Sequence, residues 1–355
     1  MAHLPTPSPG ASAHTAPDPE DRRGVAAAVR QWVTGDPSGE GAGRVLRVAD
    51  ARLQGAAEQL LRPDDVLLVP DDRAADDDRT PPPSRTGAMV APYRGGLDAP
   101  GDEAWFSGLR VQVEDYASIA FLPLTGATIA RLRDLDGWRA YLEDADAARN
   151  SGRLLPQLLG ATVAVSGAPL VDAGDPVPVA AVDVDRDGVA RLGQDGAVLG
   201  DLGDPDPLAA ALDRSHPPLA RLAGLGGDLA ADVADRPWLG LYRAALAFAA
   251  PQDDGPAWSV SGLGTTVAPG GDASRITRSD LLLLHRGEER VLVQPRSLRR
   301  FALTARAAVV VEHLLGGGTG GAEGRLPEED AVDASFVERI IGGFEREGVA
   351  LRGEA

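Results

Sequence analysis

Few residues in this chain could do chemistry, and their spacing narrows the options further. Asp183-Val-Asp185-Arg-Asp187-Gly188 sets carboxylates at alternate positions before a glycine, as in the first half of a helix-flanked calcium loop. Such a loop needs a bidentate glutamate at its twelfth position, but Gln194 stands there and the flanks alternate as strands. Asp-Gly between alternating arms marks a β-hairpin instead, with its aspartates on a solvent face. The histidines His3, His14, His216, His285 and His313 fall at no metal-ligand spacing. His313 sits late in a helix, where partial positive charge is welcome. Cysteine is absent, which removes disulfides, thiol catalysis and zinc–thiolate sites. Lysine is absent too, which removes Schiff-base chemistry and the phosphate-binding lysine of P-loops. There is no Gly-x-Ser-x-Gly elbow, and between Val48 and Leu61 only Gly55 could let backbone approach a pyrophosphate. The expectation is a protein that is not an enzyme, with no catalytic residue, metal or cofactor nominated.

What remains is a basic island. Arg275, Arg278, Arg286, Arg290, Arg296, Arg299, Arg300 and Arg306 stand against Asp280, Glu288 and Glu289, in a chain of net charge −18. Arg286 and Arg290, beside a turn, read as a solvated strand face. A surface of this kind could steer and orient an acidic peptide, with Arg296, Arg299 and Arg300 the residues favoured for it.

The elements that must position this island fill the last third. Asp280–His285 and Arg290–Gln294 read as strands around a tight turn at Arg286–Glu289. Thr304 can cap a helix over Ala305–Leu315, and Gly316–Gly318 ends it. A last helix runs from Ala334 to Glu347, with Phe336, Val337, Ile340, Ile341 and Phe344 on one face. Gly342-Gly343 weakens its interior and Gly348 stops it. Hairpin, capped helix, glycine break and amphipathic helix read as a small winged-helix domain at 257–355.

At 355 residues the chain has room for two domains. Before a polar linker at 251–256, residues 25–250 read as an α/β or α+β domain. Gly43–Val48, a helix over Ala51–Leu61 and Asp65–Pro70 make a right-handed βαβ unit. Strands follow at Ala88–Ala91 and Leu109–Val113, then a long helix at Thr128–Ala148 and a strand at Ala161–Ser166. A hairpin spans Val177–Leu192. Helices follow at Pro207–Arg214, Pro218–Ala223 and Leu229–Ala250, the last broken at Arg236-Pro237. Residues 1–24 read as a disordered tail without a signal-peptide core, and the acidic, proline-rich 71–85 as an exposed loop. Aromatic content of 4% argues against stacking on nucleic acid, and the acidity repels nucleic acid and anionic membranes. No apolar run spans a bilayer, so the expected location is cytoplasmic.

The strand pair 280–294, Phe301-Ala-Leu-Thr-Ala-Arg-Ala-Ala308, Leu314-Leu-Gly-Gly317 and the final helix ending at Gly348 resemble the PqqD-like RiPP recognition element. Across the whole chain, Arg30-Gln-Trp-Val-Thr-Gly35, Pro92-Tyr-Arg-Gly-Gly-Leu-Asp-Ala-Pro-Gly-Asp-Glu103 and Arg236-Pro-Trp-Leu-Gly-Leu-Tyr242 look like the actinobacterial daptide biosynthesis RiPP recognition proteins. One departure is visible: family members place a middle helix where Thr319–Asp333 is rich in glycine, proline and acid. The resemblance implies a binding protein that captures the leader segment of a ribosomally synthesised precursor peptide and presents it to tailoring enzymes. The leader would add as a strand near Arg290–Gln294 or Arg299–Leu303 and rest against the last helix. Implied peptide-binding residues are Arg290, Leu292, Arg296, Arg299, Arg300 and Phe301, with Val337, Ile340, Ile341 and Phe344 divided between core and groove. The alternative is a winged-helix DNA-binding regulator with an N-terminal regulatory domain. The arginine island favours it. Net acidity opposes it, and Arg339 and Arg346 are flanked by Glu338, Glu345 and Glu347.

Overall fold

The computed structural model describes residues 19–36, 43–71, 86–106, 108–124, 126–159, 162–167, 176–250, 255–268, 270–295, 297–317 and 334–352. Helix α1 (Pro19–Thr34) leads to β1 (Val45–Val48), and short helical turns containing α2 (Gln54–Ala57) lead to β2 (Val66–Pro70). Then come β3 (Met89–Gly95), β4 (Glu103–Phe106), β5 (Leu109–Asp115), α3 (Tyr116–Ile119), β6 (Ala127–Arg131), α4 (Leu135–Ser151) and β7 (Val163–Val165). The next stretch holds β8 (Val177–Pro178), β9 (Ala181–Val184), β10 (Val189–Leu192), β11 (Val198–Asp201), α5 (Pro205–Leu212), β12 (Ser215–His216), α6 (Leu229–Ala234) and α7 (Leu239–Phe248). Ten of these strands form one mixed sheet in the order β11-β10-β9-β1-β2-β3-β4-β5-β6-β7. As expected, β1 and β2 pair in parallel and β9–β10 form the Asp-Gly hairpin. Gly188, at φ +90°, makes that turn, and Asp185 Oδ1 accepts from the N–H groups of Asp187 and Val189.

Three expectations are corrected. The long helix at Thr128–Ala148 is a strand and a helix: Thr128–Arg131 belongs to β6, and the Asp134 side chain caps α4 through the N–H groups of Asp136 and Gly137. Ile129 and Leu132 match the helical period of Leu135 and Trp138, so apolar spacing alone does not reveal the break that the Asp134 cap makes. The helix over Ala51–Leu61 is a chain of single turns. Residues 19–24, assigned to the tail, begin α1. The rest of that tail, most of the 71–85 loop, 251–254 of the linker and 319–333 lie outside the described residues.

Both faces of the sheet's centre are covered, so β1 and β2 are apolar almost throughout. Val45, Leu68 and Ala181 face α1; Leu46, Leu67 and Val182 face a second cluster with Ala57, Leu208 and Leu212. Helix α1 touches β1, β9 and also β7 at the far end of the strand order, so the sheet curls around it. Arg47 is the exception among the apolar residues. Its position in the strand points it at α1, where it is 2% exposed and stacks over Trp32. Its register partner on β9 is Asp183, at 3.1 Å, and Asp98 lies at 2.6 Å. Its Nε donates to Tyr93 Oη at 3.1 Å. Burial disfavours the Asp98 carboxylate ion, but the hydrogen bond and charge of Arg47 prevail and lower its pKa. Asp183, expected on a solvent face, is therefore a buried counter-ion, because this arm of the hairpin is covered on both sides.

The last third forms a second, antiparallel sheet, β13 (Ser259–Val260), β14 (Leu282–Arg286), β15 (Glu289–Gln294) and β16 (Arg299–Ala302), in that order. Helices α8 (Ala305–Leu315) and α9 (Ala334–Arg346) follow. Thr304 caps α8 through Ala307 N, as the sequence implied. A single apolar cluster runs from Trp138 and Tyr141 of α4 through Leu241 and Tyr242 of α7 to Leu282–Leu284, Val311 and Phe344. Polar ties reinforce it. Arg149 of α4 donates to the carbonyls of Gly262 and Ile276, and Glu312 of α8 accepts from the N–H groups of Val267 and Ala268 at 2.6 Å each.

Replacing Arg47 with Met strands the Asp183 charge and should cost roughly 3–5 kcal/mol in urea denaturation. The double variant Arg47→Met with Asp183→Leu should recover most of that loss, because a buried pair is replaceable by apolar groups of similar volume.

Candidate functional site

Strand β15 is paired on both sides, with β14 and β16, so the expected edge at Arg290–Gln294 is corrected: the edge on this side of the sheet is β16. Leu292 lies fully buried in the core, in register between Leu283 and Phe301, and cannot meet an incoming chain. Arg290 is half-buried, its guanidinium bonded to the Glu288 carbonyl. Arg296 lies outside the described residues.

The hydrogen-bond phase of the edge follows from one contact. Leu303 N–H donates to Arg290 O at 2.9 Å, which makes Leu303/Arg290 a hydrogen-bonded pair. Such pairs alternate in an antiparallel ladder. Phe301 and Arg299 therefore bond inward to β15, while the N–H and C=O groups of Arg300 and Ala302 turn outward. Both residues are exposed. The edge thus offers two donors and two acceptors at the spacing an added strand would use.

Helix α9 covers the face of β16 that carries Arg299 and Phe301. The rings of Phe301 and Phe344 meet edge-on at 5.2 Å, and Arg299 stacks over Phe301 while binding the Glu347 carboxylate and carbonyl. The apolar stripe of α9 divides cleanly. Ile341 and Phe344 are buried in the core, whereas Phe336, Val337 and Ile340 are only partly covered. Arg306 and Arg339 stack on Phe336 at 4.6 and 5.6 Å.

Most of the arginine island is engaged within the chain. Arg278 pairs with Asp280 and binds the carbonyls of Ala350 and Leu351. Arg286 pairs with Glu289 over the Trp258 ring. Arg300, exposed on the edge strand, makes no hydrogen bond or ion pair among the described residues.

Leu298 was not nominated from the sequence. It directly precedes β16, is 69% exposed, and among the described residues is the one non-glycine with positive φ, at 56°. A bulky side chain held in the left-handed region, with its surface in water, is a strained and costly arrangement. The only sequence signal was Leu298 standing in a polar turn between Ser297 and Arg299.

Comparison with protein-family models, with characterised proteins and with solved structures found no match to this chain. Among the described residues there is no cluster suited to a metal ion, and no helix long and apolar enough to cross a membrane.

Two stability outcomes follow. Ile341→Ala should cost about 2–4 kcal/mol, while Ile340→Ala should cost under about 1.5 kcal/mol, as read by urea denaturation. Burial lowers the His285 pKa, with Glu312 opposing and Arg290 reinforcing the shift. His285 therefore contributes stability that is present above the ordinary histidine value of about 6.5 and lost as pH falls below it. Melting temperatures between pH 7.5 and 5.5 should drop more for the parent chain than for His285→Gln.

Proposed function

We propose that this chain is a non-catalytic binding protein that captures the leader segment of a ribosomally synthesised precursor peptide by strand addition to β16. The observation that carries the reading is the open β16 edge, with the outward backbone groups of Arg300 and Ala302 beside the partly covered stripe of α9. Main-chain hydrogen bonds would supply affinity, and Val337 and Ile340 would receive alternate apolar side chains. Arg300 and Arg296 would orient an acidic residue of the peptide. The antiparallel sheet with α8 and α9 would then serve as a winged helix of the RiPP recognition element type, and the resemblance of the sequence to that family supports this. On the same resemblance, the large sheet would present the captured leader to tailoring enzymes in the cytoplasm.

Titration of the full chain with a labelled candidate leader peptide at low and moderate salt tests the reading. The full chain is required because α4 and α7 share the core of the C-terminal sheet. Micromolar binding that persists with salt is expected. Ala302→Pro removes an outward N–H without breaking the β15 ladder, since proline is tolerated on an edge. It should weaken binding by roughly tenfold or more, and Ile340→Glu should do the same. Unchanged affinity in both folded variants overturns the assignment. Salt-sensitive binding to duplex DNA without peptide binding makes the chain a DNA-binding regulator instead.

A further inference from the structure

Arg221 is another buried arginine, and its surroundings differ from those of Arg47. Arg221 lies on the short helical segment Pro218–Leu225 and is 3% exposed. Its guanidinium fits against the C-terminus of α1 because residue 35 is glycine. A Cβ there would lie 1.8 Å from Nη1, and the φ of +71° independently favours glycine. Nε and Nη2 of Arg221 are buried without a hydrogen-bond partner, and the side chain forms no ion pair among the described residues. Burial pushes its pKa down to about 10, against the pull of Asp36, the residue after Gly35, so it stays cationic at neutral pH. A buried guanidinium with two of its nitrogens lacking an acceptor is among the costlier arrangements in a folded chain.

Arg221 also lines a cavity with Val33, Leu132, Ser166, Gln194 and Asp195, where the chain leaves β6 and β7. The free space is about 10 Å³, room for one species near the size of a water. No neighbouring carboxylate is free to serve. Both oxygens of Asp195 accept from Arg131 Nη2, at 2.9 and 2.7 Å. Ser166 Oγ accepts from Leu132 N at 3.0 Å, which leaves its proton available to donate into the cavity. Gln194 spends its Nε2 on the Leu97 carbonyl, and its Oε1 is buried without a donor. The free space suits a small species better than phosphate or sulfate, and the unspent donors of Arg221 and Ser166 outnumber the one unspent acceptor, Gln194 Oε1.

We propose that the Arg221 cavity is a binding site for one monatomic inorganic anion of halide size, held by Arg221 and Ser166 against the end of α1. The anion neutralises the buried guanidinium and ties Pro218–Leu225 to Ser166, just after β7. Ligand binding to the folded state alone raises the melting temperature and saturates with concentration.

Thermal unfolding of the full chain is measured at fixed ionic strength while sodium gluconate is exchanged for chloride or bromide. A saturable rise of roughly 3 °C is expected. Arg221→Met should abolish the halide response and, in gluconate, melt no lower than the parent, because it removes an unpaired charge. A melting temperature independent of halide, as a lone trapped water would give, overturns the proposal. So does a halide response retained in Arg221→Met. Should that variant not fold, crystals of the parent chain in bromide decide the matter. An anomalous peak beside the Arg221 guanidinium supports the site, and its absence at saturating bromide overturns it.

Discussion

Three consecutive leucines, Leu282, Leu283 and Leu284, are buried on β14, and the organisation of the last third depends on that burial. Successive side chains of a strand point to opposite faces, so a run of buried residues means both faces are covered. Helix α9 lies over the face of Leu292 and Phe301, while Leu282, Leu284 and Val293 of the other face join the cluster that includes α7. With both faces of β14 covered, an added strand could join this sheet only at its edges. Its first strand, β13, is two residues long, which leaves β16 as the longer free edge.

Arg47 and Arg221, both buried, show how one residue type carries different meaning in different surroundings. Arg47 is matched in register by Asp183 and satisfied by Tyr93 and Asp98, so it specifies strand alignment at the sheet's centre. A one-residue slip between β1 and β9 would separate the charges and bury both unpaired. Arg221 has no such partner. It lines a cavity, and its Nε and Nη2 are buried without an acceptor.

The arginine island is a similar lesson about charge read in one dimension. Eight arginines in one stretch suggest a basic surface, yet Arg278, Arg286 and Arg299 are committed to carboxylates within the chain. Paired ions project little field. What is left for a partner is narrower: Arg300 on the edge, an exposed Leu298 in a strained turn, and a half-covered stripe on α9.

Periodicity and local capping were legible in the sequence. The strands β1 and β2, the Asp-Gly hairpin, the break at Arg236-Pro237, the Thr304 cap and the apolar face of α9 all show as patterns local in the sequence. Where periods coincided, as from Ile129 to Trp138, the reading failed, because a strand and a helix can share apolar spacing over one turn. Which strand is an edge, which of Ile340 and Ile341 enters the core, and whether an arginine is paired are set by residues distant in sequence. Asp183 meets Arg47 across 136 positions, and Gly35 makes room for Arg221 from the far end of the sheet's wrap. Local propensity determined the elements. Long-range packing alone decided which of their polar groups and edges were left unsatisfied, because satisfaction is a property of neighbours brought together by the fold.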